Sequence, residues 1–377
     1  MGREKVLFTM SYPGILFPLS YVLYFHQTFI NNSNENNLYY NSLIKSFSIT
    51  TYLFIILFII LYFFSTTFAG PILYLFFSFM GYLVNLFNSS IILIFFQKIF
   101  KIYFGNSIKI ILFYGIAFLI SIIGHIRAEI INFDKYEIKV KIWENVKNDL
   151  KVKIAHLSDL HLCPIYGKKL VEKIIEKLNN EKDISFVVLT GDIVDGDIFD
   201  NKITLSILEP FRNSKYKIYY VSGNHEEFTD KTRLYYLLEK VGIIILDNKT
   251  EVLDKFKINL IGIGYDKNYK KIKNETLPRL CHISKENNYI NIVLSHIPFF
   301  KPKQLVKYNI FLFLCGHTHG AQMIPTNIDV WIKNTVFNGL YSYLDKYFVY
   351  CVSGVGNSGP PLRTFTRANI GLITLSN

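Results

Sequence analysis

A chain of 377 residues is long enough for two structural units. Half of its residues are hydrophobic and 16% are aromatic, including 33 Phe and 26 Tyr, and the formal net charge is +12. No basic run is interleaved with aromatic residues, which excludes nucleic-acid binding; four cysteines without CxxC spacing exclude a zinc ribbon and a disulfide framework.

The apolar residues are unevenly spread. Up to Ala128 the charged side chains are Arg3, Lys5, Lys45, Lys98, Lys101, Lys109 and Arg127, with the acids Glu4 and Glu35; beyond it acids and bases mix as in a soluble domain. This shift predicts a transmembrane region over 1–128, a connector over 129–150 and a globular domain over 151–377. Crossing a ~30 Å hydrocarbon core takes about 20 apolar residues of helix. Four stretches meet that length: 12–30, 46–66, 71–96 and 107–124. The third carries Asn85 and Asn88 in its interior, and the fourth has Lys109 near its start, where a long side chain can snorkel to the interface. Apolar segments continuing this far are not a signal peptide. With His26 as the one ionisable group near membrane depth, the region reads as an anchor rather than a transporter. Four spans put both ends on one side, with Arg3, Lys5, Arg127, Lys135, Lys139 and Lys141 there against Lys45, Lys98, Lys101 and Lys109 opposite. That balance leans to a cytoplasmic globular domain, and a first stretch that does not span would reverse it.

From Lys151 short apolar runs at 152–157, 186–189, 218–221, 243–246, 258–263, 290–294, 310–314, 347–352 and 370–375 read as buried strands. Helical patterns at 168–179, 204–211, 230–241 and 277–286 alternate with them. Strands apolar at nearly every position belong to sheets covered on both faces, so the expectation is a layered α/β sandwich. The polar residues follow the strands. SDLH (158–161) comes after the first, GDIVD (191–195) after the second, GNHE (223–226) after the third, SH (295–296) after the sixth and GHTHG (316–320) after the seventh. In open α/β sheets ligands bind at the carboxyl ends of strands, so the five clusters are expected to converge.

Their donors are Asp159, His161, Asp192, Asn224, His296, His317 and His319. Nitrogen and oxygen donors without a thiolate suit Mn, Fe or Zn. Seven are too many for one tetrahedral ion and adequate for two that share a carboxylate. In Asp159-x-His161 and His317-x-His319 the alternate residues of an extended segment point the same way.

DLH, GDIVD, GNHE, SH and GHTHG, in this order, resemble the calcineurin-like metallophosphoesterase family, and the closing SGVGNSGPPLRTFTRANIGLITL resembles its membrane-anchored bacterial branch. The resemblance implies an α/β/β/α sandwich over 151–377 and a hydrolase of phosphoester bonds. It also implies two divalent ions: Asp159, His161 and His319 on one, Asn224, His296 and His317 on the other, and Asp192 between them. A hydroxide held between the ions would attack phosphorus, and His225 would act as acid or phosphate stabiliser at the leaving group. Glu226 and Asp195 are expected to orient the loops, His156 to be a strand histidine, and Arg363 to be a surface arginine. Where the branch carries a second Gly after GHTHG, this chain has Ala321, a change expected to touch a loop rather than a ligand. The substrate is a phosphorylated small molecule or a lipid-linked pyrophosphate of the UDP-diacylglucosamine type. A silent scaffold of the same fold is the alternative, from which the intact donor set argues away.

Overall fold

The computed structural model describes residues 69–101, 106–143, 150–162, 167–194, 201–268, 271–281, 289–299 and 301–377. The two apolar stretches expected at 12–30 and 46–66, with His26, lie outside these residues, as do Cys163, Asp195 and His282. The chain divides into two compact units, one built on the apolar helices together with Gly359–Thr364 and one on Ala128–Ser358 with Phe365–Asn377.

In the first unit, helix α1 (Ala69–Phe100) and helix α2 (Asn106–Glu129) cover the third and fourth apolar stretches. Within them Phe77–Phe100 and Ile111–Glu129 are long and apolar enough to cross a membrane. At 1.5 Å per residue the 32 residues of α1 reach roughly 48 Å, so a spanning α1 would tilt or extend into the interface. Polar side chains join the two helices. Asn85 donates to the Ser121 hydroxyl at 2.9 Å, Asn88 donates to Asn85 at 3.2 Å, and Ser89 donates to the Phe113 carbonyl at 2.7 Å. Such bonds hold helices together where apolar packing gives no preference over lipid. Gly81 and Gly124 leave room for Leu362, and the Arg363 N–H donates to the Gly124 carbonyl at 2.9 Å. Arg363 is fully buried and is not the surface arginine the sequence suggested.

The second unit is a four-layered sandwich. Its first sheet runs β1 (Ile131–Lys139), β12 (Ala368–Ser376), β2 (Lys151–Leu157), β3 (Ile184–Thr190), β4 (Ile218–Val221), β5 (Ile243–Ile245). The second runs β10 (Gly339–Tyr343), β11 (Tyr347–Cys351), β9 (Ile310–Cys315), β8 (Ile290–Ser295), β7 (Ile258–Ile263), β6 (Thr250–Leu253). Strands β2 to β5 are mutually parallel, as are β7, β8, β9 and β11. Alternation explains why these strands are apolar throughout. Phe186, Val188, Tyr219, Val221, Ile292 and Leu312 meet between the sheets. Their neighbours Val187, Leu189, Tyr220 and Ile218 face helices α3 (Gly167–Asn180), α4 (Asn201–Leu208) and α5 (Lys231–Lys240). On the far side Val293, Phe313 and Ile261 face α6 (Leu277–Cys281) and α7 (Pro302–Lys307).

The segment read as a connector contains β1, which runs beside β12 over its whole length. Asp134, Lys135, Glu137 and Lys139 conceal it from a search for apolar runs. It is an edge strand, where charge is tolerated and discourages pairing with other chains. Ile131 and Phe133 still reach the helix-side core, and Tyr136 and Ile138 the core between the sheets.

Candidate active site

The ends of five parallel strands bring the sequence-derived donors together. Asp159 and His161 follow β2, Asp192 follows β3, Asn224 follows β4, His296 follows β8, and His317 and His319 follow β9. The ends are laced by the backbone: Asp159 N–H donates to Gly191 at 3.1 Å, His161 N–H to Asp192 at 3.0 Å, and Gly316 N–H to His296 at 2.9 Å. The last bond closes two strands of the second sheet at the point where the donors leave it.

Three overlapping donor groups result. In the first, ligand atoms of Asp159, His161 and His319 lie within 4.8 Å of one another; in the second, those of Asp192, His296 and His317 do; the third, His161, Asp192 and His225, links them. The His161 and His319 Nε2 atoms are 2.9 Å apart, and His319 Nε2 is 3.3 Å from Asp159 Oδ1. In the second group His296 Nε2 is 3.0 Å from both Asn224 Oδ1 and Asp192 Oδ2, and 3.3 Å from His317 Nδ1. Asp192 Oδ2 also stands 3.9 Å from His161 Nε2, so this carboxylate lies between the groups. His225 sits beside it, its Nε2 3.8 Å from Asp192 Oδ2 and its ring partly exposed. The residues fit divalent ions: imidazole nitrogens and carboxylate oxygens converge edge to edge at separations a shared cation would bridge.

Hydrogen bonds fix the donors from behind. His296 Nδ1 lies 2.8 Å from the Thr190 carbonyl, which only accepts, so Nδ1 carries the proton and Nε2 is turned into the site. His317 N–H donates to both Asp159 oxygens at 3.1 Å. Buried Glu226 accepts from the N–H groups of Gly223 at 2.6 Å, Ile193 at 2.7 Å and Asp192 at 2.9 Å, joining the loops after β3 and β4. Glycine is required where these loops touch: a Cβ on Gly223 would stand 2.2 Å from Asp192 Oδ1, and one on Gly316 would stand 1.9 Å from Ser158 Oγ. His156 is a fully buried strand residue whose Nε2 lies 2.8 Å from the Thr190 hydroxyl.

The charge states follow from burial and neighbours. Burial pushes the Asp192 carboxyl up, but His296, His225 and His161 outweigh it and hold the group well below the usual range. Burial pushes His296 down, yet Asp192 and Asp159 raise it to about 9. Burial together with the nearby His296 lowers His317 to about 3, and burial alone lowers His156 to about 3. Burial and the Asp192 charge raise Glu226.

Two features were not legible in the motifs. Asp159, His161, Asp192, His317 and His319 all adopt φ between 45° and 72°. That left-handed region costs a residue with a side chain about 1–3 kcal/mol and clusters at functional sites. The second is Asp247, whose carboxylate accepts the Ser222 N–H at 2.7 Å, the Ser222 hydroxyl at 2.5 Å and the Tyr235 hydroxyl. It braces the entrance to the Asn224 loop. A carboxylate just beyond β5 was the available signal.

Comparisons with known proteins agree with this geometry. A family model described as calcineurin-like phosphoesterase matches residues 152–321. An uncharacterized metallophosphoesterase of Helicobacter pylori is 32% identical over 237 residues, covering 61% of this chain and 61% of its own. One from Campylobacter jejuni is 33% identical over 237 residues, covering 61% and 60%. A cattle protein described as a transmembrane protein with metallophosphoesterase domain is 27% identical over 246 residues, covering 59% and 53%, so the similarity extends beyond bacteria. The chain thus spans about three-fifths or less of the length of these relatives. Residues 152–321, which contain all five donor-bearing strand ends, match a calcineurin-like phosphoesterase domain, the part of the chain that is similar to the metallophosphoesterases above.

Proposed function

We propose that the chain is a membrane-anchored hydrolase of phosphoester bonds that works with two divalent metal ions. The observation that carries this reading is the pair of donor groups meeting at Asp192. Asp159, His161 and His319 would hold one ion, Asn224, His296 and His317 the other, with Asp192 shared; Mn, Fe or Zn match the donors. Bound there, the ions supply Lewis acidity toward phosphoryl oxygens and a water activated for attack at phosphorus. The protein's own part is positioning. Thr190 holds the His296 tautomer, Glu226 sets the Asp192 and Asn224 loops against each other, and Asp159 orients the His317 backbone. His225, beside the shared carboxylate yet partly exposed, is placed to give a proton to the leaving oxygen or to steady a phosphoryl oxygen. Anchoring is supported by α1 and α2 and by the description of the cattle relative as a transmembrane protein.

The substrate is a phosphorylated small molecule or a lipid-linked pyrophosphate such as UDP-diacylglucosamine. Full-length protein in detergent with Mn is expected to hydrolyse bis(4-nitrophenyl) phosphate. Asp192→Asn should lower turnover about a thousandfold or more, roughly 4 kcal/mol of barrier. Parallel assays on UDP-diacylglucosamine in mixed micelles rank the two substrate classes. A wild-type protein that binds no metal and hydrolyses neither compound would instead be a scaffold, and the enzyme reading would be lost. The whole chain is the right material, because a fragment starting at Lys151 lacks β1.

A further inference from the structure

Between the GHTHG turn and β10 the chain makes an excursion that begins at the site and returns to it. It departs at His319 and Gly320, and the Thr318 hydroxyl donates to the Phe337 carbonyl at 2.6 Å on the way back. At its far side stands helix α8 (Thr326–Lys333), TNIDVWIK. Ile324, Ile328, Trp331 and Ile332 expose 41%, 56%, 67% and 73% of their surface. Within α8, spacings of three and one residue put Ile328, Trp331 and Ile332 on one stripe at helical periodicity, and Ile324 is exposed in the turn that leads into it. A stripe of this kind beside an active site is a surface waiting for a partner.

We propose that α8 is an interfacial helix that seats the catalytic domain on a lipid bilayer, with the Trp331 indole at headgroup depth and the isoleucines below it. The proposal rests on the membrane-associated reading above and extends it to how the site meets its substrate. Three observations name lipid as the occupant. The stripe is tryptophan among β-branched aliphatics, the composition of interfacial anchors, on a helix too short to span. Its one acid, Asp329, is paired with Lys333 at 2.8 Å, so the helix presents no uncompensated negative charge to phospholipid. Residues 301–307, the N-cap and body of α7, expose Lys301, Lys303 and Lys307 and no acid. Leu305 of α7 and Val336 beyond α8 pack on the same apolar cluster beneath the second sheet, so the lysines and the stripe share one layer and complement an anionic surface. The same chain carries two helices of spanning length, which keep a bilayer within tethered reach.

The chain has two tryptophans, and Trp143 is fully buried in the core between the sheets, so Trp331 is the one that lipid can reach. In vesicles of phosphatidylcholine with a minority of phosphatidylglycerol, a shallow doxyl-labelled lipid is expected to quench part of the emission. Trp331→Phe should remove the quenched part and leave the rest. Emission indifferent to the doxyl lipid overturns the proposal. So does a Trp331 shielded from both doxyl lipid and aqueous iodide, which would mean that residues of the chain itself cover the stripe. As a second readout, Ile328→Asp with Ile332→Asp should slow hydrolysis of a phosphoester displayed on the vesicle by about tenfold or more while leaving bis(4-nitrophenyl) phosphate hydrolysis unchanged. Equal rates for mutant and wild type on the vesicle substrate would sink it. Should wild-type protein hydrolyse neither substrate, the enzyme reading fails, and quenching alone still decides the docking.

Discussion

The two sides of the candidate metal site are built on different principles. The loops after β3 and β4, which carry Asp192 and Asn224, are joined by one buried carboxylate, Glu226, that accepts four backbone N–H groups. The loop after β9, which carries His317 and His319, is wound through left-handed conformations at His317, His319, Gly320 and Ala321 instead. Its ties are the His317 N–H to Asp159 and the Thr318 hydroxyl to Phe337. One side restrains its left-handed Asp192 with a clamp of charge-assisted hydrogen bonds; the other concentrates left-handed backbone at His317, His319 and Ala321 without such a clamp. The clamp is therefore where a single side chain carries most, and the strained loop is where a substitution can still improve stability.

Breaking the clamp tests this most severely. Glu226→Ala removes the acceptor of four backbone N–H groups and is expected to destabilise the protein by about 3–5 kcal/mol. Thermal unfolding in detergent should show a large drop in Tm together with loss of activity. A loss below about 1 kcal/mol would mean that the loops hold without the clamp.

Acid probes the same side through His156, which supports Thr190 from β2. Its folded pKa, lowered to about 3 by burial, lies below the ordinary 6.5. Below that ordinary value the unfolded chain takes up a proton that the folded chain refuses, so this contribution is intact above about pH 6.5 and lost as pH falls toward 3. Relative to His156→Gln, wild-type stability should fall by about 1.4 kcal/mol per pH unit between roughly pH 6 and pH 4. Parallel acid limbs for the two proteins would contradict a neutral buried imidazole.

The strained loop offers the smallest effect and the opposite sign. Ala321 occupies a φ of 60° with almost no exposure. Ala321→Gly is expected to stabilise by up to about 1 kcal/mol, since the Cβ penalty of the left-handed region is removed. Activity should stay unchanged. A lowered Tm would show that the loop is not strained there.

How much of this was legible beforehand varies with sequence distance. The strands at 258–263 and 310–314 and the helix at 168–179 were readable because apolar periodicity is a local property. Strand β1 was not, because an edge strand can be charged and needs β12, more than 200 residues away, to define it. Arg363 read as a surface residue for the same reason: its burial depends on helices far earlier in the chain. Glu226 announced itself inside GNHE, whereas Asp247 had no motif and is recognisable by the Ser222 and Tyr235 groups it binds.

The sequence by itself determined the donors, their order and their places after apolar strands, because chemistry and strand periodicity are written within a few residues of each other. Tertiary structure alone decided that Asp192, grouped with His296 and His317, also comes within 3.9 Å of His161, that five of the seven donors adopt left-handed backbone, and that the segment carrying the exposed apolar stripe leaves from and returns to the GHTHG turn. Those outcomes depend on two sheets packing so that the ends of β3 and β8 meet, and no residue's immediate neighbours carry that information.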